Sequence, residues 1–555
     1  MHKWFLFFFF VILSSCSDKV AGRGGVDETS NGIHAYVTDE NGNGVASAMV
    51  ILRPVNYLAQ NSMALQNLDL GIYNGTTDEY GHFHIDTLVP GEYILEVRAP
   101  ELGTLTKLVV EKATLQDVLA DTISLQKYAS LTGKVDLAPD MPYARVAILG
   151  MDRVVHTDKE GNFSIDGVPS GDIITVVLAA TEDKILGELA LNINPSEELS
   201  IGGFISSPSS LDEWKYSADI AINTQDLTKD LQNYSFPIHF RGGDFPVGSS
   251  LTGADLRLYD AKEQAVEFAV THWSPSTREG TIWVRLDKIK ASDAINLKLY
   301  WGRPGTLSLS TPENVFDTAQ WAAVVPLQNS FVDAEGDLRT PVYATGSVPG
   351  LVIGTDGFPP EFSASGTWFD GLEQGVGIHG FPLDFGRENY TVQIWLRPEL
   401  EGGIWLSRDN KAGGNWNHSE RAFYLGGDFS INANRGLQPT QITHGSPYNT
   451  YARAKDSVAL HEWVHLALRC TTWNEDTLQA QWYINGQAVK TNNDLVLSEP
   501  DKMRDTLYIA TEMFERSFLG DIYQLQIAKK ALDPARIAFD ALIQRPNNPL
   551  ISVKF

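Results

Sequence analysis

Apolar and polar residues alternate with a period of two along most of this chain. The pattern is clear in Ala218 to Ile222, in Thr281-Ile282-Trp283-Val284-Arg285-Leu286, in Ile295-Asn296-Leu297-Lys298-Leu299-Tyr300 and in Tyr390-Thr391-Val392-Gln393-Ile394-Trp395-Leu396. That period places alternate side chains on opposite faces of a strand, so each run reads as a β-strand with one face toward a core. Turn residues punctuate the runs, among them Asn41-Gly42-Asn43-Gly44 and Asn485-Gly486. The clearest helical signal comes near the end. Asp533 is placed to cap a short helix whose first residue is Pro534. The pattern predicts an all-β protein. One segment breaks it: Trp4 to Leu13 is ten apolar residues without interruption, preceded by Lys3. A bilayer-spanning helix needs about twenty, so this run reads as the core of a signal peptide.

A repeat organises the next part of the chain. Thr77-Asp78-Glu79-Tyr80-Gly81-His82-Phe83-His84-Ile85-Asp86 returns as Thr157-Asp158-Lys159-Glu160-Gly161-Asn162-Phe163-Ser164-Ile165-Asp166. Asp and Gly supply a hairpin turn, and Phe and Ile, two apart, share one face of the strand that follows. Upstream, Gly32 to Asp39 leads into the Asn-Gly turn and on to Ala48-Met49-Val50-Ile51-Leu52. These features resemble the carboxypeptidase-regulatory-like family, a transthyretin-like sandwich, in two copies over residues 29–127 and 128–205. The resemblance implies rigid spacers or docking modules without catalytic residues of their own. His82 and His84 flank Phe83 and share the opposite face of their strand, a placement open to metal binding but explained as well by solvent-facing strand positions, which is the preferred reading. The second copy has Asn162 and Ser164 there.

Two further segments follow. Residues 206–320 open on Trp214-Lys215-Tyr216, carry Ala254-Asp255-Leu256-Arg257-Leu258-Tyr259-Asp260, and end on Tyr300-Trp301-Gly302. They resemble a bacterial domain family of unknown function that often precedes laminin-G-like domains. Residues 321–555 contain Glu462-Trp463-Val464-His465-Leu466-Ala467-Leu468, a hairpin turning at Asn485-Gly486, and Phe518-Leu519-Gly520-Asp521-Ile522-Tyr523. In this order they resemble a concanavalin-A-like, laminin-G-type jelly roll. That resemblance implies two curved antiparallel sheets that bind glycans or proteins at a rim, in some members through calcium.

At the N-terminus, Leu13-Ser14-Ser15-Cys16 resembles the bacterial lipobox. It implies cleavage after residue 15, a signal peptide at 1–15, diacylglycerol on Cys16 and a polar tether over 16–28. Several acyl chains hold a protein on a membrane where one would not. Ser17 in place of Asp favours the outer membrane.

Composition narrows the functions. Against 43 Lys and Arg stand 69 Asp and Glu, a net charge of −26, which argues against a nucleic-acid partner. Two cysteines, Cys16 and Cys470, exclude a disulfide framework and Cys-rich metal sites. Cys470 reads as a small buried apolar group. His461-Glu462-Trp463-Val464-His465 has the letters of a zinc-protease motif, yet it runs into strand alternation rather than a helix. The carboxylate pattern of jelly-roll glucanases is missing, so no enzyme is expected. No cofactor is expected either; calcium stays open, without ligands, among acidic positions such as Asp409, Asp428 and Asp521. Trp395, Trp463 and Trp482, being on strands, read as core. The loop Gly413-Gly414-Asn415-Trp416-Asn417-His418 instead combines glycines, amides and a ring. Asn415, Trp416 and Asn417 are therefore the candidate glycan-binding residues, the ring for stacking and the amides for hydroxyls.

The expectation is an all-β chain: tandem small β-sandwiches, a middle β module and a C-terminal concanavalin-A-like jelly roll. It is anchored through Cys16 in the cell envelope and binds polysaccharide without catalysis. The alternative is a structural or protein-binding part of an envelope complex, and a more distant one is a polysaccharide hydrolase. A glycan binder needs exposed aromatics on the jelly-roll rim, whereas a scaffold needs an apolar or charged patch on the middle module.

Overall fold

The computed structural model describes the chain from Ile33 to Phe555, apart from short internal stretches and the longer ones 60–71, 111–117, 205–210, 409–420, 426–436, 444–449, 497–505 and 512–516. It is nearly all β. The two repeats fold alike. In the first, Ile33–Thr38 lies between His82–Ile85 and Val118–Leu119, facing a sheet ordered Tyr73–Thr76, Met49–Pro54, Gly91–Arg98, Leu102–Val110 and Gln126–Lys127. In the second, Ala129–Lys134 lies between Asn162–Val168 and Glu198–Ser200. Its facing sheet runs Val154–His156, Arg145–Ile148, Ile174–Ala180 and Ile185–Asn192. Each opening strand pairs antiparallel on one side and parallel on the other.

The repeated letters have repeated jobs. Thr77 Oγ1 accepts the Ala48 N–H at 2.8 Å, and Thr157 Oγ1 accepts the Ala144 N–H at 3.0 Å. Asp78 and Asp158 each accept a backbone N–H four residues on, from His82 at 2.8 Å and from Asn162 at 2.7 Å. Gly81 and Gly161 close the turns at φ +93° and +86°. A Cβ there would lie 2.5 Å from Val37 O and 2.1 Å from Val135 O, so the turn tolerates no side chain. Phe83 and Ile85, like Phe163 and Ile165, are buried.

Buried polar groups tie the units in series. At the first junction Arg53, buried, donates to Glu96 at 2.6 Å, to the carbonyl of Gly150 at 2.8 Å, and to Asp152. At the second, the buried carboxylate of Glu188 accepts the backbone N–H groups of Leu251 and Thr252 from the middle module.

The middle module is a sandwich of Tyr216–Asn223, Arg257–Asp260 and Ala294–Trp301 against Leu231–Arg241, Phe268–Ser274 and Glu279–Ile289. Its first sheet gains a fourth strand from the far end of the chain. Ile551–Lys554 pairs antiparallel with Tyr216–Asn223, setting Val553 opposite Ile220 and Ile551 opposite Ile222. The helix Pro534–Ile543 also docks here. Asp533 caps it, accepting the Ala535 N–H at 2.9 Å, and Phe539 and Ile543 enter the middle module's core.

The jelly roll stacks a nine-stranded sheet on a ten-stranded one. Its core holds Trp405, Trp482, Phe423, Cys470 and Leu525 among others. The outward face of the nine-stranded sheet is itself buried beneath the middle module and the helix. There Gln393 donates to Asp540 at 3.0 Å, Tyr234 donates to the same carboxylate at 2.5 Å, and Tyr523 meets His239 at 2.8 Å. Trp283, Phe316, Trp321, Ala467 and Tyr483 form an apolar cluster across that seam.

Candidate functional site

Chain direction fixes the two rims of the jelly roll. Tyr390–Pro398 runs down the nine-stranded sheet, a short turn crosses over, and Ile404–Arg408 returns up the other sheet. Tyr390 and Arg408 therefore end at one rim, and Pro398 and Ile404 at the other. At the first rim Arg408 is buried and donates to the carbonyls of Leu383 and Phe381, with its guanidinium over the Phe381 ring at 5.5 Å. Thr506 Oγ1 lies 2.8 Å from His379 Nδ1. These contacts fasten the chain where several loops leave the sheets.

The hairpin Val464–Asn474 with Thr477–Ile484 reaches the same rim. Its register slips by one residue between Thr472, opposite Leu478, and Asn474, opposite Thr477. Trp473 is the extra residue of this bulge, and a bulge re-aims the side chain it carries. The Trp473 side chain is 72% exposed, the most exposed large apolar group among the described residues. Beside it, Thr472 donates both its backbone N–H and its hydroxyl to the side-chain oxygen of Asn389, at 2.7 and 3.2 Å. A flat ring held on a tied hairpin, flanked by a hydroxyl and an amide, can stack a sugar's C–H face while polar neighbours meet its hydroxyls.

The sequence candidates Asn415, Trp416 and Asn417, and the anchor Cys16, lie outside the described residues. What is described is where their loop begins and ends: Arg408 and Arg421, paired on adjacent strands at the same rim as Trp473. Trp395 and Trp482 are buried, but only Trp482 belongs to the jelly-roll core; Trp395 lies on the covered face, 5.4 Å from the ring of His465. Trp463 is half-buried under the Arg397 guanidinium at 5.6 Å, so reading it as core is corrected. Trp473 escaped the sequence reading, although its polar neighbours Thr471, Thr472, Asn474, Glu475 and Asp476 were a signal of exposure.

The zinc-protease letters fall on a turn and a strand. His461 sits at φ +62°, and His465 is buried in Val464–Asn474, its imidazole pulled down to about 3 by burial. The two rings thus share no helical face. Asp521 pairs with Arg397 at 2.6 Å on the strand Leu519–Ala528, where Gly520 lies opposite Pro398.

Two parts of the chain match known protein families. Residues 370–538 match the family model of the concanavalin A-like lectin/glucanases superfamily. Residues 252–320 match a domain of unknown function, DUF2341. The chain thus carries a concanavalin-A-like, laminin-G-like domain behind a DUF2341 domain. No curated protein sequence matches it.

Similar solved structures include domain 4 of AbnA, an extracellular arabinanase of Geobacillus stearothermophilus in complex with arabinotriose. It is 15% identical at a TM-score of 0.24, over 35% of this chain and 82% of that one. The CBM40 of a Ruminococcus gnavus IT-sialidase, bound to α2,3-sialyllactose, is 16% identical at 0.25, over 31% and 97%. A Trypanosoma rangeli sialidase is 9% identical at 0.30, over 92% and 83%. At these values the likenesses assign no substrate or site to this chain. One expectation is corrected: the family model matched over residues 370–538 spans glucanases as well as lectins, so the exclusion of an enzyme does not hold, and a carbohydrate-active role is open to the chain.

Proposed function

We propose that this protein is a lipid-anchored glycan-binding protein of the bacterial outer membrane, engaging polysaccharide at the jelly-roll rim that carries Trp473. The observation that carries the reading is the exposed ring on its bulge, tied to Asn389 through Thr472. The match of residues 370–538 to a lectin and glucanase superfamily supports sugar as the ligand. The loop bearing Asn415, Trp416 and Asn417 springs from the same rim, and we include it in the binding surface. The apolar run and Leu13-Ser14-Ser15-Cys16 support the anchor. The two repeats serve as carboxypeptidase-regulatory-like spacers, on the strength of their shared turn chemistry. A glycan array and insoluble-polysaccharide pull-down with the full-length protein tests the binding, with Trp473→Ala and Trp416→Ala alongside. Loss of detergent-phase partitioning in Cys16→Ser tests the anchor.

A further inference from the structure

The outward face of the first sandwich carries chemistry that glycan binding does not use. His82 and His84 lie two apart on His82–Ile85 and share that face, since Phe83 and Ile85 between and beyond them are buried. The neighbouring strand sets His34 directly opposite His84 and Tyr36 opposite His82. The His34 and His84 rings stack at 3.8 Å between centroids, and the Tyr36 and His82 rings lie 5.0 Å apart. His82 and His84 are exposed and His34 half-exposed. Asp78 Oδ2 lies 3.5 Å from His82 Nδ1.

We propose that His34, His82 and His84 form a binding site for a transition-metal dication of the zinc and copper class. Imidazole nitrogen is the ligand such borderline cations favour, and three imidazoles leave a fourth position for water. Two ligands spaced i, i+2 on a strand and a third directly across the ladder put all three side chains on one patch of sheet. The strands fix the Cβ positions, and the rings are exposed enough to turn about their side-chain torsions. That turning is required, because the stacked rings do not converge as they stand, and among the described residues no group of three or more such ligands does.

The second sandwich supplies an internal control. In the same register it sets Thr132 opposite Ser164 and Lys134 opposite Asn162. The same fold forms there without any of these imidazoles, so packing does not demand them.

The test uses the full-length protein, purified through a tag free of histidine, titrated with Co²⁺ followed by Zn²⁺. The expected result is one equivalent of cobalt with visible ligand-field bands, displaced by zinc and weakening in acid as protons compete for imidazole nitrogen. Each of His34→Thr, His84→Ser and His82→Asn, the residues of the second sandwich, lowers the affinity at least about tenfold, equivalent to about 1.4 kcal/mol. His156→Ala and His379→Ala leave it unchanged. Absence of binding, or one-equivalent binding retained in the triple variant, overturns the proposal. Should a variant unfold, the unmodified protein decides. Substoichiometric Cu²⁺ must then broaden the imidazole resonances of three histidines ahead of the rest, and uniform broadening contradicts the site.

Discussion

Glu188 shows how one residue couples a junction to pH. Its carboxyl is buried between the second sandwich and the middle module, and burial pushes it up to about 7, outweighing the Leu251 and Thr252 N–H groups that favour its charged form. A carboxyl raised in the folded state contributes stability below its unfolded value, near 4.5, and loses it as pH rises through about 7. The junction should therefore loosen between pH 5 and 8. Limited proteolysis between the sandwich and the middle module should speed up across that range, and Glu188→Gln should flatten the dependence. Much at this scale was legible beforehand. The repeated Asp and Gly announced their turns because their bonds close within four residues, whereas the Thr77 hydroxyl meets Ala48, 29 residues away. Glu188 was not legible, since its partners are 63 and 64 residues away. Trp473 is a different case. Its exposure comes from a one-residue slip in register, which only the polar letters around it signal, whereas Trp416 drew attention through neighbouring glycines.

Among the elements, the C-terminal helix and strand do the least expected work. Asp533 and Pro534 marked the helix correctly, and Ile551-Ser552-Val553-Lys554 alternates as a strand should. Alternation gives a strand its faces but not its neighbour. Nothing in the pattern told that this one pairs with Tyr216–Asn223, over three hundred residues earlier. The helix places Phe539 in the middle module's core and Asp540 in the seam. Phe539→Ala should cost roughly 3–5 kcal/mol, read as a fall in the denaturation midpoint of the middle module and jelly roll together. A chain ending at residue 532 should lose cooperative unfolding of the middle module, because it removes both a strand and part of the core. Normal calorimetric unfolding of that truncation would contradict the assignment.

Taken whole, the molecule is a series of sandwiches whose joints are buried and polar, ending in a jelly roll fused to the module before it. Fold class was readable because period-two strands and turns are local signals. The fusion was not, because it depends on a buried face whose glutamines, Gln393, Gln524 and Gln526, are polar letters that read as solvent-facing on a strand. An isolated 321–555 fragment should therefore expose that face and aggregate, while a 206–555 fragment should stay monodisperse in size-exclusion chromatography. Among the described residues Trp473 keeps its exposure in this fused arrangement. Binding of the full-length protein to its best polysaccharide, with and without Trp473→Ala, tests the central claim most directly. The account predicts a loss of about tenfold or more with unfolding unchanged. Unaltered affinity for the same glycan in that variant would contradict it.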